Sequence, residues 1–163
     1  RVHYNAAVHD FRGVTTMADP KWCEYSVRRL AAKIEAHIDE LADVHTVLMD
    51  DAEICVFAYG PVARAAEASV RQAREMGIKA GLIRTTTLWP FPEKQVRAMA
   101  RQVEAIVVPE MNLGQMVLEV ERCAAGQAEI RSVTRVDSML ITPNQVLDGI
   151  MAVAPRRQVP WPR

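Results

Sequence analysis

Glu110 follows the apolar run Ala105-Ile106-Val107-Val108, separated from it only by Pro109. A carboxyl partly desolvated at the end of a buried strand is suited to general acid–base work. No catalytic partner stands beside it in the sequence, while Asn112 and Gln115 are close enough to hydrogen-bond it and fix a turn. A structural or interface role therefore outweighs a catalytic one. Arg84 ends a second apolar run and could grip a carboxylate or phosphate in bidentate fashion; pairing with Glu110 at the adjacent strand end is the plainer use. Trp89 and Phe91 alternate with Pro90 and Pro92. They could stack a ligand ring, but a rigid aromatic plug against a neighbouring subunit is the simpler expectation. Gly60-Pro61 and Asn112-Leu113-Gly114 each precede a helix and would aim backbone N–H groups at an anion. Neither matches a dinucleotide or phosphate-loop motif, and Glu110 would repel an anion at the second opening, so ordinary capping is expected at both.

Cys23, Cys55 and Cys123 are isolated, with no C-x-x-C pair and no spacing suited to zinc or an iron–sulfur cluster. They read as reduced thiols, Cys55 and Cys123 buried as small hydrophobes. His3, His9, His37 and His45 are scattered, and a metal site would need several of them gathered with carboxylates. No nucleophile-elbow G-x-S-x-G is present.

The chain has 163 residues, half of them hydrophobic, enough for one proper core. Its 20 basic and 20 acidic residues cancel, so there is no general pull toward nucleic acid or anionic membrane. No apolar run approaches a membrane span and the start lacks signal-peptide character, so the expected location is cytoplasmic. A start on Arg1 is expected of a piece cut from a longer polypeptide.

Asp19-Pro20 is an N-cap followed by proline at the first helical position, and predicts a long helix. Val27, Leu30, Ile34, Ile38 and Leu41 form its apolar stripe, opposite Arg28, Arg29, Lys33, Glu35 and Asp39. Val44 to Met49 suggests a short strand before the Asp50-Asp51 turn. From Ile54 strands and helices alternate, the pattern of a mostly parallel sheet with flanking helices. Strands are expected over 54–59, 79–84, 105–108 and 130–133. Between them run a helix closed at Met76-Gly77, one starting at Pro92 with Val96, Met99, Ala100 and Val103 inward, and one capped by Asn112. Thr142-Pro143-Asn144-Gln145 is a capping box for a final helix carrying Val146, Leu147, Ile150 and Met151. The expected division is a linker and long helix over 1–43, an α/β domain over 44–154, and a tail over 155–163. Right-handed crossovers would gather Tyr59-Gly60, Arg84 to Trp89 and Glu110 to Gln115 at the carboxyl ends of the strands.

Three segments carry a family resemblance in combination: Val56-Phe57-Ala58-Tyr59-Gly60-Pro61-Val62-Ala63-Arg64, Arg84-Thr85-Thr86-Thr87-Leu88-Trp89-Pro90-Phe91-Pro92, and Val108-Pro109-Glu110-Met111-Asn112-Leu113-Gly114-Gln115-Met116. Together they resemble the C-terminal, transketolase-C-like region of the alpha subunit of 2-oxoacid:ferredoxin oxidoreductases, most similar to the 2-oxoglutarate type. The resemblance runs from about Val8 to about Val153. Val8-His9-Asp10-Phe11-Arg12-Gly13 is similar to the family's linker, which usually reads His-Asp-Glu before its Gly; Phe11 departs from that pattern.

The resemblance implies a three-layer αβα fold with a mostly parallel sheet of about five strands, similar to the transketolase C-terminal domain. It implies a complex that converts a 2-oxoacid and coenzyme A to acyl-CoA, carbon dioxide and reduced ferredoxin. Thiamine diphosphate, magnesium and an iron–sulfur cluster are implied for that complex, and none of them for this chain, which lacks the Gly-Asp-Gly motif with a following Asn. The implied partners are the preceding alpha domains, the beta subunit and, for the complex, ferredoxin, in an oligomer. The chain alone is expected to be inactive and to serve docking, with Tyr59, Gly60, Arg84, Trp89, Phe91, Glu110, Asn112 and Gln115 as the candidate edge. Two rivals stay open: a regulatory module binding a nucleotide or phosphorylated metabolite at the strand ends, and a free-standing α/β enzyme with Glu110 as base.

Overall fold

The computed structural model describes residues 8–14 and 19–155. His3 and the expected tail beyond Pro155 lie outside the described residues. The chain packs as two compact units, Arg1–Leu41 and Ala42–Arg163.

In the first unit, α1 (Pro20–Glu35) starts as expected: Asp19 accepts from the N–H groups of Lys21 and Trp22, and proline occupies the first turn. Trp22 stacks against Phe11 and Tyr25, and its indole N–H donates to the His9 carbonyl, pinning 9–12 onto the helix. The expected single helix through Leu41 is corrected. After Ala36 the chain tightens, His37 N–H donating to Ile34 and Glu40 N–H to His37, and a short α2 (Ile38–Leu41) follows. No proline or glycine forces the break; the three-residue hydrogen bonds overwind it. The stripe is corrected too, for Val27, Leu30 and Leu41 are exposed and Ser26 is the buried residue of α1.

The second unit holds a five-stranded sheet in the order β1-β3-β2-β4-β5. Its strands are β1 (Val44–Val47), β2 (Ile54–Tyr59), β3 (Ala80–Thr85), β4 (Ala105–Glu110) and β5 (Glu129–Thr134). Only β1 is antiparallel, paired to β3; the rest run parallel. The helices are α3 (Val62–Glu75), α4 (Glu93–Gln102), α5 (Met116–Ala124) and α6 (Pro143–Val153).

Alternation along the strands builds two cores. Cys55, Phe57, Ile106 and Val108 face α4 and α5 with Val96, Met99, Ala100, Val117 and Val120. Ile54, Val56, Ala58, Leu82 and Val107 face α3 and α6 with Ala66, Val70, Val146 and Ile150. The result is three layers, the central strands β2, β3 and β4 hydrophobic on both faces as a covered parallel sheet demands. Burial pushes the Cys55 thiol well above its ordinary value, in keeping with an inert core residue. The capping box forms as read, with Thr142 accepting from Gln145 N–H and the Gln145 side chain from Thr142 N–H. On α6, Gly149 lets the helix approach the sheet: a Cβ there would sit 2.6 Å from Val133 Cγ2 and 3.1 Å from Val107 Cγ1. Gly149→Ala is therefore expected to cost about 1–3 kcal/mol by overpacking, read as a lower urea midpoint.

Strand β4 runs two residues past its expected end at Val108, through Pro109. A proline inside a central strand is unusual because it cannot donate to the ladder. Here β4 pairs with β2 only up to Val107, and beyond that point it continues on β5 alone. The missing N–H falls where one neighbour has already peeled away.

Candidate functional site

That divergence lies at the switch point of the sheet. From β2 the chain winds outward to β3 on one side, and from β4 to β5 on the other, and in open α/β sheets the crevice between such strands is where ligands enter. Tyr59 ends β2 and Glu110 ends β4, so both stand at the mouth of that crevice.

Glu110 is fully buried. Its Oε2 accepts from Gln115 N–H at 3.2 Å and Met116 N–H at 2.9 Å, and its Oε1 from Val117 N–H at 3.0 Å. The first amides of α5 thus converge on one carboxylate delivered by the preceding strand, which satisfies donors the helix cannot and places negative charge against the positive end of its dipole. A fourth donor comes from across the crevice, the Tyr59 hydroxyl, 3.2 Å from Oε2. Burial, and next the neighbouring Glu110 charge, push the Tyr59 hydroxyl up, so the phenol keeps its proton and donates. Asn112 completes the network. Its Nδ2 donates to the Tyr59 oxygen at 3.0 Å, and its Oδ1 accepts from Gly114 N–H and Gln115 N–H at 2.8 and 2.9 Å.

Asn112 therefore shapes the turn, while the capping assigned to it from sequence belongs to Glu110, and α5 begins four residues later than Asn112 at Met116. Gln115 contributes its backbone, as the N-cap without a side-chain cap bond. Gly60 turns with φ 56 into α3, whose N-cap Pro61 has no side-chain cap bond.

Two expectations need correcting. Arg84 does not pair with Glu110. Strand alternation puts Arg84 with Ala80 and Leu82 on the α3/α6 side of the sheet, whereas Glu110 follows Ile106 and Val108 on the α4/α5 side. Arg84 is exposed, beside His45 and Ala58 in register. The second correction is to Phe91, which is core and not surface: its ring packs 5.7 Å from that of Phe57. Trp89 alone of the pair is exposed, at 70%. With Leu113 at 86% and half-exposed Leu88, it gives the strand-end rim an apolar character. Leu113 was missed from sequence, although an Asn-x-Gly turn after a strand signals that its middle residue points outward.

As chemistry, this is a closed network. Each Glu110 oxygen is engaged, no exposed acid or base adjoins it, and among the described residues no three His, Cys, Asp or Glu side chains gather as a metal-binding group. Cys55 and Cys123 are buried among apolar side chains on the α4/α5 side of the sheet, surroundings that do not fit an iron–sulfur cluster.

Residues 52–146, more than half of the chain, match the family described as pyruvate:ferredoxin oxidoreductase core domain II. The chain is 39% identical over 153 residues to the 2-oxoglutarate synthase subunit KorA of Methanothermobacter marburgensis, covering 94% of this chain and 41% of that one. It thus spans less than half the length of this curated relative. Among solved structures it is similar to a 2-oxoglutarate:ferredoxin oxidoreductase from Magnetococcus marinus, with TM-score 0.69 and 17% identity over 90% of this chain and 25% of that one. A split-gene transketolase also matches, with TM-score 0.60 and 17% identity over 68% of this chain and 40% of that one. At such identities these two likenesses speak for the fold, which is that of a transketolase C-terminal domain.

Proposed function

The chain belongs to the pyruvate:ferredoxin oxidoreductase core domain II family, and from that premise we propose that it is a supporting, subunit-docking domain of a cytoplasmic 2-oxoacid:ferredoxin oxidoreductase. The 2-oxoglutarate type is the reading favoured by the 2-oxoglutarate synthase subunit KorA relative, whose match covers 94% of this chain. In that enzyme a 2-oxoacid and coenzyme A become acyl-CoA and carbon dioxide while ferredoxin is reduced. The partners are the remaining alpha-chain domains and a beta subunit.

One observation carries the reading: the switch-point crevice is bridged by the protein's own Tyr59–Glu110 hydrogen bond and its carboxylate is saturated by three helix amides. A ligand anion would have to displace Glu110 from all of them. The donors present do not fit thiamine diphosphate with magnesium or a cluster, which supports the reading that this chemistry belongs to other parts of the complex. What the rim does offer is Trp89 and Leu113, apolar side chains on turns held by Pro90 and by the Asn112 hydrogen bonds. Anchors held in advance lose little conformational entropy on docking.

Trp89→Ala is expected to weaken association of the subunits by tenfold or more, on the order of a lost aromatic anchor, in sedimentation velocity. Glu110→Gln, assayed per assembled complex at saturating partner concentration, is expected to retain turnover within about tenfold, far from the loss of an essential acid or base. Abolished turnover in an intact Glu110→Gln complex would make Glu110 catalytic and end the docking reading.

A further inference from the structure

Strand β5 closes one side of the sheet, and nothing among the described residues pairs with its outer edge. The phase of that edge is fixed. Glu129 N–H donates to the Glu104 carbonyl and Arg135 N–H to that of Glu110, so the odd positions turn their backbone toward β4. Ile130, Ser132 and Thr134 then point their N–H and C=O groups outward, free to form a ladder.

The side chains flanking Ile130 are Glu129 and Arg131, both exposed and neither in an ion pair or hydrogen bond with any described residue. They lie two apart on one face of the sheet, the side of Val107 and Val133. In an antiparallel ladder with a second β5 about a dyad at Ile130, Ile130 meets Ile130 and each Glu129 meets the other copy's Arg131. Centring on Ser132 instead sets Arg131 against Val133, and centring on Arg131, with Ile130 and Ser132 exchanging the outward bonds, sets Arg131 against Arg131 and Glu129 against Val133. Of the outward-facing registers, the first alone pairs both charges.

On the opposite face of the same flank, half-buried Ile130 packs against the α4/α5 core, beside exposed Ser132 and Thr134. On α5, Val117, Val120, Cys123 and Ala124 meet the sheet while Glu119 and Arg122 turn to Glu93 of α4. Leu118, 61% exposed, is turned away from both the sheet and α4.

We propose that the β5 edge is an interface with a second copy of this chain, the two strands pairing antiparallel about Ile130 into one continuous sheet with reciprocal Glu129–Arg131 contacts. Charges on an edge strand otherwise serve to prevent pairing, and the two uses separate by experiment. Ile130→Cys in the full-length chain should form an intermolecular disulfide under mild oxidation, since residues opposed in a hydrogen-bonded pair have Cα atoms about 5.5 Å apart, within disulfide reach. Ser132→Cys should not, its two copies being several residues out of register. Arg131→Glu in the Ile130→Cys background should cut the cross-linked fraction about tenfold by opposing like charges, and adding Glu129→Arg should restore it. Absence of an Ile130 cross-link, equal cross-linking at Ser132, or indifference to both charge changes would each overturn the proposal and leave Glu129 and Arg131 as guards of an unpaired edge.

Discussion

Glu110→Ala is expected to lower stability by about 3–5 kcal/mol, because truncating a buried, hydrogen-bonded carboxylate strands every group that was turned toward it. The Met116 and Val117 N–H groups and the Tyr59 hydroxyl would lose their acceptor at once, and Gln115 N–H would keep only Asn112 Oδ1. Val117 N–H is itself buried, so water replaces the carboxylate poorly. Glu110→Gln keeps the shape and one good acceptor but turns an amide N–H₂ toward helix donors, and should cost about 1–2 kcal/mol through the lost charge at the helix dipole. Urea melts give the ordering Ala worse than Gln, and hydrogen exchange locates it: the Val117 amide should lose protection before the amides of β2. A Glu110→Ala protein within half a kcal/mol of the parent, with Val117 still protected, would show that α5 does not depend on this cap.

Ile106→Ala should cost a similar amount, about 2–5 kcal/mol, by a different route. Ile106 is fully buried in the middle of β4, in register with Cys55 on one side and Ile130 on the other. Its side chain faces α4 and α5 within the cluster of Phe57, Val96, Val108 and Val120. Truncation loses transfer energy and leaves a cavity that two pinned helices cannot collapse into. Ile106→Val, one methylene smaller, should cost only about 0.5–1.5 kcal/mol. Denaturant midpoints at unchanged slope test both; a loss below about 0.5 kcal/mol for the alanine variant would mean the site is not close-packed.

Both side chains stand on β4, a strand whose existence was legible and whose length was not. The run Ala105 to Val108 reads as buried strand by composition alone, but Pro109-Glu110 has the look of a turn. Only the pairing shows that β2 leaves at Val107, which frees Pro109 from any ladder bond and carries Glu110 inside. The same gap misled the reading of Arg84. The strand ends of Arg84 and Glu110 are expected side by side from the sequence, yet β2 lies between β3 and β4 and the parity of each strand sends one side chain to each face.

The amino-acid order by itself determined the alternation of β2 through α6, the Asp19 and Thr142 caps, the covered parallel sheet and the family, because hydrophobic period and cap chemistry act within a few residues of chain. The tertiary structure alone decided that the Tyr59 hydroxyl meets a carboxylate 51 residues away, that Phe91 turns into the core beside Phe57 while Trp89 stays out, and that the long amphipathic helix breaks after Ala36. Those outcomes depend on strand parity, on where two neighbouring strands part, and on which face finds a partner. Such quantities have no local signature, since they arise only when segments distant in the chain are packed side by side.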